Sequence, residues 1–254
     1  MHDLTGKTVL VTGASKGIGA ATVAALGQAG AHVVAHYGSD RAGAEEATAA
    51  IPAERRLLLQ ADLTDLGAAR AMWREAVAWR GRVDVLVSNA AVMPSSPLAA
   101  DDATWDDAWA QCLRVNVVAA AALLREAARH HLEHGGGVII AISSWAAQRG
   151  SGNPDLAAYA ASKAAIKAAT QTIARAHAAD GVLAYVVAPG IVRTRMSEVS
   201  ARRLGGEEAV TAGLAMREWV PPSELGDLIC YLATGRCRHL TGATLDVNGA
   251  SYIR

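Results

Sequence analysis

The chain has no excess charge of either sign. Across 254 residues, 24 lysines and arginines balance 24 aspartates and glutamates, and the basic residues are dispersed. That pattern argues against a nucleic-acid groove and against attraction to an anionic membrane surface, and it leaves a small molecule as the expected partner. Long hydrophobic runs are also missing: no apolar stretch approaches the roughly 18 residues that cross a bilayer. The opening residues carry Asp3 and Lys7 before a short apolar strand and lack the pattern of a secretory signal. Cysteine is scarce. Cys112, Cys230 and Cys237 are odd in number and have no metal-like spacing, so they are read as small core residues or free thiols rather than a disulfide framework. A soluble, cytoplasmic protein is therefore expected. Internal repeats, low-complexity tracts and interdomain linkers are absent too, and residues 1–254 are expected to form one domain.

What is present is an apolar half (52% of residues) arranged as alternating short runs and helical stretches. Lys7 to Val11 reads as a buried strand, followed by a helix reaching about Ala29. Strands at 32–36, 56–60, 83–87, 137–142, 182–187 and 244–247 alternate with helices at 41–50, 65–80, 104–128 and 157–176. Such alternation predicts an α/β fold, a doubly wound parallel sheet of about seven strands covered by helices on both faces. Residues 193–222 read as an irregular, mobile flap near the site.

Two stretches carry chemistry. After the first strand comes Thr12-Gly13-Ala14-Ser15-Lys16-Gly17-Ile18-Gly19, whose glycines would let backbone amides at a helix start approach a pyrophosphate. On the helix beginning near Ala157, Tyr159 and Lys163 stand one turn apart. Alone, such a pair is ordinary helix surface. Beside it, however, the strand ending at Ile142 delivers Ser143 and Ser144 to the carboxyl edge of the sheet, where open parallel sheets bind ligands. A phenol titrates near 10, and Lys163 is expected to lower that value and make Tyr159 a better acid or base. A serine hydroxyl beside it would hold a carbonyl oxygen. Either serine could serve on this reading.

Taken together, these motifs resemble the short-chain dehydrogenase/reductases, closest in pattern to 3-oxoacyl-carrier-protein reductase-like members, over nearly the whole chain. The resemblance rests on Thr12 to Gly19, Asp62-Leu63, Asn89-Ala90-Ala91, Asn116, Ser144, Tyr159 with Lys163, Pro189-Gly190 with Thr194, and the ending Leu240 to Gly249. It implies a Rossmann fold and an NAD(P)-dependent oxidoreductase that transfers hydride between nicotinamide and a carbonyl or secondary alcohol. It also implies that Gly13, Ser15, Lys16, Gly17, Ile18 and Gly19 meet the phosphates, Asp62 and Leu63 the adenine, Asn89, Ala90 and Ala91 the ribose, and Pro189, Gly190, Val192 and Thr194 the nicotinamide. Tyr159 is then the acid or base, Ser144 rather than Ser143 orients the substrate, Lys163 also binds the ribose, and Asn116 holds a proton-relaying water.

The resemblance further implies pairing of the helices at 103–131 and 157–178 across two-fold axes, giving a homotetramer. Substrates suggested by the family include a 3-oxoacyl thioester, with sugars, steroids and small aromatic alcohols as alternatives; a non-catalytic dinucleotide-binding regulator is the alternative from another class. Two departures stand out. Ala91 replaces the glycine found in many relatives, and the Ser144 to Tyr159 spacing is about two residues longer than is usual in the family, predicting a bulge at the substrate mouth.

Cofactor choice is read from the residues after the second strand. Tyr37 stands where NAD-selective proteins usually place an acid, while Lys16, Ser15, Ser39 and Arg41 favour a 2′-phosphate. NADP is thus favoured, with NAD possible through Asp40. Met93, Trp145, Gln148, Met196 and Trp219 are expected to wall the substrate pocket. No metal site is expected: His130, His131 and His134 are read as the end of a helix, and Trp105 and Trp109 as packing or a subunit contact.

Overall fold

The computed structural model describes residues 2–254. Its seven strands are β1 (Thr8–Val11), β2 (His32–Tyr37), β3 (Arg56–Gln60), β4 (Val85–Ser88), β5 (Gly137–Ile142), β6 (Val182–Pro189) and β7 (Thr244–Val247). They form one parallel sheet in the order β3-β2-β1-β4-β5-β6-β7. The strands read as continuous apolar runs because both faces are covered. Side chains alternate in direction, so Val9 and Val11 of β1 join the core on one face while Leu10 joins the core on the other.

The first core includes residues of helices α1 (Gly17–Gln28) and α10 (Pro222–Ala233), the second those of α3 (Leu66–Arg80), α5 (Ala120–Glu133) and α7 (Ala157–His177). The order reverses between β1 and β4, and this switch point opens a crevice at the carboxyl ends of the strands. Among the described residues, no helix is long and apolar enough to cross a membrane.

Two expectations need correction, and one helix had none. The long helix after Pro97 is not uniform: α4 (Asp102–Gln111) runs through a π-helical stretch, Cys112–Ala119, before α5. Such wide turns occur frequently at functional sites. The segment 193–222 is not irregular, since it contains α8 (Arg195–Arg203) and α9 (Glu207–Ala212). The Thr194 hydroxyl caps α8 by accepting the Ser197 amide at 3.3 Å, and Ala201, Leu214 and Trp219 form a small core of their own. Finally, α10 carries much of the packing against α1 and was not anticipated from sequence.

The histidines end α5 as the sequence suggests, but with more specific partners. Val83 donates its amide to His130 Nε2 at 3.2 Å, and its carbonyl lies 3.2 Å from His131 Nε2, so two successive imidazoles grip the entry to β4. Cys112 and Cys230 are buried free thiols.

Candidate active site

β5 ends at the two serines, and the structure separates their duties. Ser143 donates its hydroxyl to the Lys163 carbonyl at 2.9 Å, while the Ser144 hydroxyl accepts the Ala146 amide at 3.2 Å and lies against the Tyr159 hydroxyl. Tyr159 is half-buried on α7. One turn on, Lys163 is buried, donates from Nζ to the Ile142 carbonyl at 2.8 Å and lies 5.7 Å from the centre of the Tyr159 ring.

Burial, rather than the lysine, is the main influence on the tyrosine. Burial pushes the Tyr159 phenol up to about 12, opposed by the Ser144 hydrogen bond, and burial pushes Lys163 down to about 8. In both groups burial favours the uncharged form.

Asn116 sits in the π-helical stretch, and both N–H groups of its side-chain amide are engaged. Its Oδ1 accepts the Val92 amide at 2.8 Å, and its Nδ2 donates to the Val92 carbonyl at 2.9 Å and to Ser162 Oγ at 3.0 Å. Ser162 in turn donates to the Tyr159 carbonyl at 2.7 Å. The amide thus joins the segment after β4 to α7, with one lone pair of Oδ1 left free to accept.

Across the switch point, Thr12 Oγ1 accepts the amides of Asn89 and Ala90 at 2.9 and 3.0 Å, and Asn89 Nδ2 donates to the carbonyls of Thr12 and Gly13 at 2.9 and 3.1 Å. The turn between β1 and α1 is closed to side chains. A Cβ on Gly13, whose φ is +67°, would meet the Ala90 backbone at 2.9 Å, and one on Gly19 would meet the Gly13 oxygen at 2.0 Å. What remains is a bare-backbone cradle at the head of a 12-residue helix whose first amides have no partner within the helix, a fit for a dinucleotide pyrophosphate.

With this geometry in view, the comparison with known proteins is decisive. Residues 7–204 match the family model described as short chain dehydrogenase. The chain belongs to the short-chain dehydrogenase/reductase family. It is 34% identical to 3β-hydroxysteroid dehydrogenase 1 of Eggerthella lenta, over 99% of this chain and 95% of that protein. Among solved structures, a candidate NAD(P)-dependent gluconate 5-dehydrogenase from Beutenbergia cavernae with bound NADP superposes with a TM-score of 0.87 at 32% identity, covering 98% of both chains. A 3-ketoacyl-(acyl-carrier-protein) reductase from Brucella melitensis complexed with NADH gives 0.86 at 26% identity, covering 99% of this chain and 100% of that one.

Asp62 is exposed and Leu63 buried just beyond β3; Val192 is buried and Gly190 and Thr194 half-buried beyond β6. Ala91 is half-buried in the strip that follows β4. Two proposed pocket walls are otherwise engaged. Gln148 donates its amide to Asp246 at 2.6 Å, and Trp219 is buried in the small core of the 193–222 segment, donating Nε1 to Thr211 at 2.9 Å. Met93 and Trp145 are half-buried and Met196 exposed, with the Arg149 guanidinium stacked 4.3 Å over the Trp145 ring.

The longer loop before Tyr159 is tied down rather than bulging freely. The Asp155 carbonyl accepts the Ser96 amide at 2.7 Å, and Asn153 Nδ2 donates to Ser200 of α8 at 3.4 Å. The sequence marks this loop by the run Gly150-Ser151-Gly152-Asn153-Pro154, which does not say what the loop packs against.

Proposed function

We propose that Tyr159 passes a proton to the carbonyl oxygen of a small substrate held by the Ser144 hydroxyl, in a reductase that prefers NADP. The reaction class itself, hydride exchange between a nicotinamide and a carbonyl or secondary alcohol, comes with membership of the family. When bound, the dinucleotide supplies or accepts the hydride. The Gly13 to Gly19 turn is suited to its phosphates, Asn89, Ala90 and Lys163 to its ribose, and the stretch from Pro189 to Thr194 to its nicotinamide end.

The observation that carries the reading is the meeting of the Ser144 and Tyr159 hydroxyls at the carboxyl edge of the sheet, above a buried lysine. The serine hydroxyl can donate to a carbonyl oxygen while the neutral phenol beside it gives up its proton. Lys163, cationic below about 8, offers charge to the oxygen of the departing proton and a donor to a ribose hydroxyl.

For the substrate we favour a 3-oxoacyl thioester, the class named for the Brucella relative, over the steroid and gluconate classes named for the others. A cofactor-linked screen across these classes, read as initial rates with NADPH and NADH, tests both choices. Dinucleotide binding with no turnover on any carbonyl or alcohol would instead favour a non-catalytic regulator, a role that gives no reason for Ser144, Tyr159 and Lys163 to converge.

A further inference from the structure

His36 is the penultimate residue of β2, follows the apolar run Val33-Val34-Ala35, and is only 2% exposed. Its ring joins three segments that the mechanism treats separately. Nδ1 accepts the Gly13 amide at 3.1 Å, and Nε2 lies 3.0 Å from the Ala61 carbonyl, immediately before Asp62 and Leu63. Only the neutral tautomer with the proton on Nε2 satisfies both contacts, because an amide must find an acceptor and a carbonyl a donor. The backbone carbonyl of His36 meanwhile accepts the Ala14 amide at 2.8 Å. Two successive amides of the phosphate turn are therefore held by one residue, while Asn89 holds the Gly13 carbonyl from the opposite side.

We propose that neutral His36 is the positioning residue that sets the phosphate turn against the adenine-side loop, so that its protonation state governs dinucleotide affinity. The inference rests on the reading of this crevice as a dinucleotide site. A doubly protonated ring would present Nδ1–H to the Gly13 N–H, donor against donor, and the turn would have to leave its place between His36 and Asn89. Because Gly13 packs against the Ala90 backbone with no room for a methyl group, that displacement reaches the floor of the crevice.

The charged and titratable groups on the surrounding segments are Lys16 after β1, Tyr37 on β2 itself, Asp40 and Arg41 at the head of the next helix, and Asp62 after β3. None of the four charged ones is buried. Burial is the main influence on the ring and holds its pKa below the usual histidine value, with the Ala61 carbonyl opposing.

The test is direct binding, followed by the fluorescence of NADPH and of NADH between pH 8 and pH 5. Both probes are needed because the 2′-phosphate itself titrates near about 6. In the wild type, Kd for both probes should rise as pH falls, approaching about tenfold per unit once the histidine titrates. His36→Asn, which keeps a neutral acceptor and donor at every pH, should bind at pH 8 and lose that component of the pH dependence. His36→Leu should weaken both probes at pH 8 by about tenfold or more, since it leaves the Gly13 amide without an acceptor. Thermal melting of each variant checks that it is folded. If His36→Leu does not fold, the comparison of wild type with His36→Asn decides. An unchanged pH profile in His36→Asn, or unchanged affinity in a folded His36→Leu, would overturn the inference. Failure of the wild type to bind either probe at pH 8 would overturn the dinucleotide reading instead.

Discussion

Ser143 and Lys163 are linked directly and again through the residue before the serine. The serine hydroxyl donates to the lysine carbonyl at 2.9 Å, and the lysine ammonium donates to the carbonyl of Ile142, the residue before the serine, at 2.8 Å. The end of β5 is thereby fixed to α7, and Ser144, the next residue, is delivered to Tyr159. Ser143→Ala should therefore act mainly on stability, costing about 1 kcal/mol for the lost hydrogen bond. Ser144→Ala should lower kcat by about 10²- to 10³-fold, as loss of a donor at a developing oxyanion does. Urea denaturation and steady-state kinetics on the pair would separate the roles, and a reversed pattern would move the functional hydroxyl to Ser143.

Tyr159→Phe removes the proton donor and should reduce kcat/KM by about 10²- to 10⁴-fold. Full activity in that variant on the best substrate would refute the mechanism. Lys163→Met offers a complementary check. The ammonium is buried, and its pKa is lowered from the usual value to about 8, so the charged form costs stability below that pH. Methionine at this position should abolish turnover while raising stability near pH 7 by on the order of 1–3 kcal/mol, the upper end being the full shift. A drop in melting temperature would show that the bond to Ile142 outweighs the burial of the charge.

Much of this was legible in the sequence because parallel-sheet chemistry is punctuated by its own local signals. Apolar runs marked β3, β5 and β7 to the residue, and glycines marked the turn after β1. What escaped were contacts that depend on distant segments. Nothing local says that Gln148 meets Asp246, 98 positions away, or that Trp219 turns inward to Thr211. The π-helical stretch around Asn116 has no compositional marker in an alanine-rich helix. The expected lowering of the Tyr159 pKa by Lys163 took no account of burial, which spacing does not report and which dominates both groups. His36 did carry a signal, a polar residue directly after the apolar run Val33-Val34-Ala35, whose meaning appeared only once its two partners were placed.

Stability should fall in mild acid through His131. Burial holds its pKa down at about 4, below the ordinary histidine value, so the unfolded chain takes up a proton that the folded chain refuses. The contribution is fully present above pH 6.5 and is lost progressively as pH falls toward 4. Between pH 7 and pH 5 this residue alone should cost about 2 kcal/mol. His131→Gln should be less stable at pH 7 yet show a correspondingly flatter decline, measured by urea midpoints at the two pH values. Parallel declines would remove His131 from the account.

The outer surface of α5 and α7 carries a shallow apolar groove lined by Leu124, Ala128, Leu132, Ala169 and Ile173. Pairing of these helices with their copies would cover it, and a homotetramer is the expected assembly. Light scattering at micromolar concentration should return about four chain masses, and Ala128→Glu should lower that number. A monomeric wild type would rule the assembly out.

Cofactor choice follows from how the groups after β2 are already engaged. Asp40, the acid nearest the adenosine ribose position, is exposed and caps the next helix, its Oδ1 accepting the Gly43 amide at 3.0 Å, so it is not turned toward the crevice. Tyr37, where an NAD-selective protein would carry the acid, is buried. Of the groups expected to favour phosphate, the Ser15 hydroxyl is spent on the Asp40 carbonyl at 2.7 Å, and Arg41 pairs with Glu45 at 2.8 Å. That exposed ion pair is of a kind worth only about 0.3–0.5 kcal/mol, little enough for a doubly charged phosphate to recruit the guanidinium. Lys16 and Ser39 are exposed at the rim of the turn. NADPH should therefore be used with a higher kcat/KM than NADH, and Lys16→Ala should lose about 1–2 kcal/mol of that advantage, fivefold to thirtyfold, with little change for NADH. A wild type that prefers NADH, or a Lys16→Ala protein that loses nothing with NADPH, would count against phosphate recognition at this rim and return Asp40 to the role of ribose acceptor.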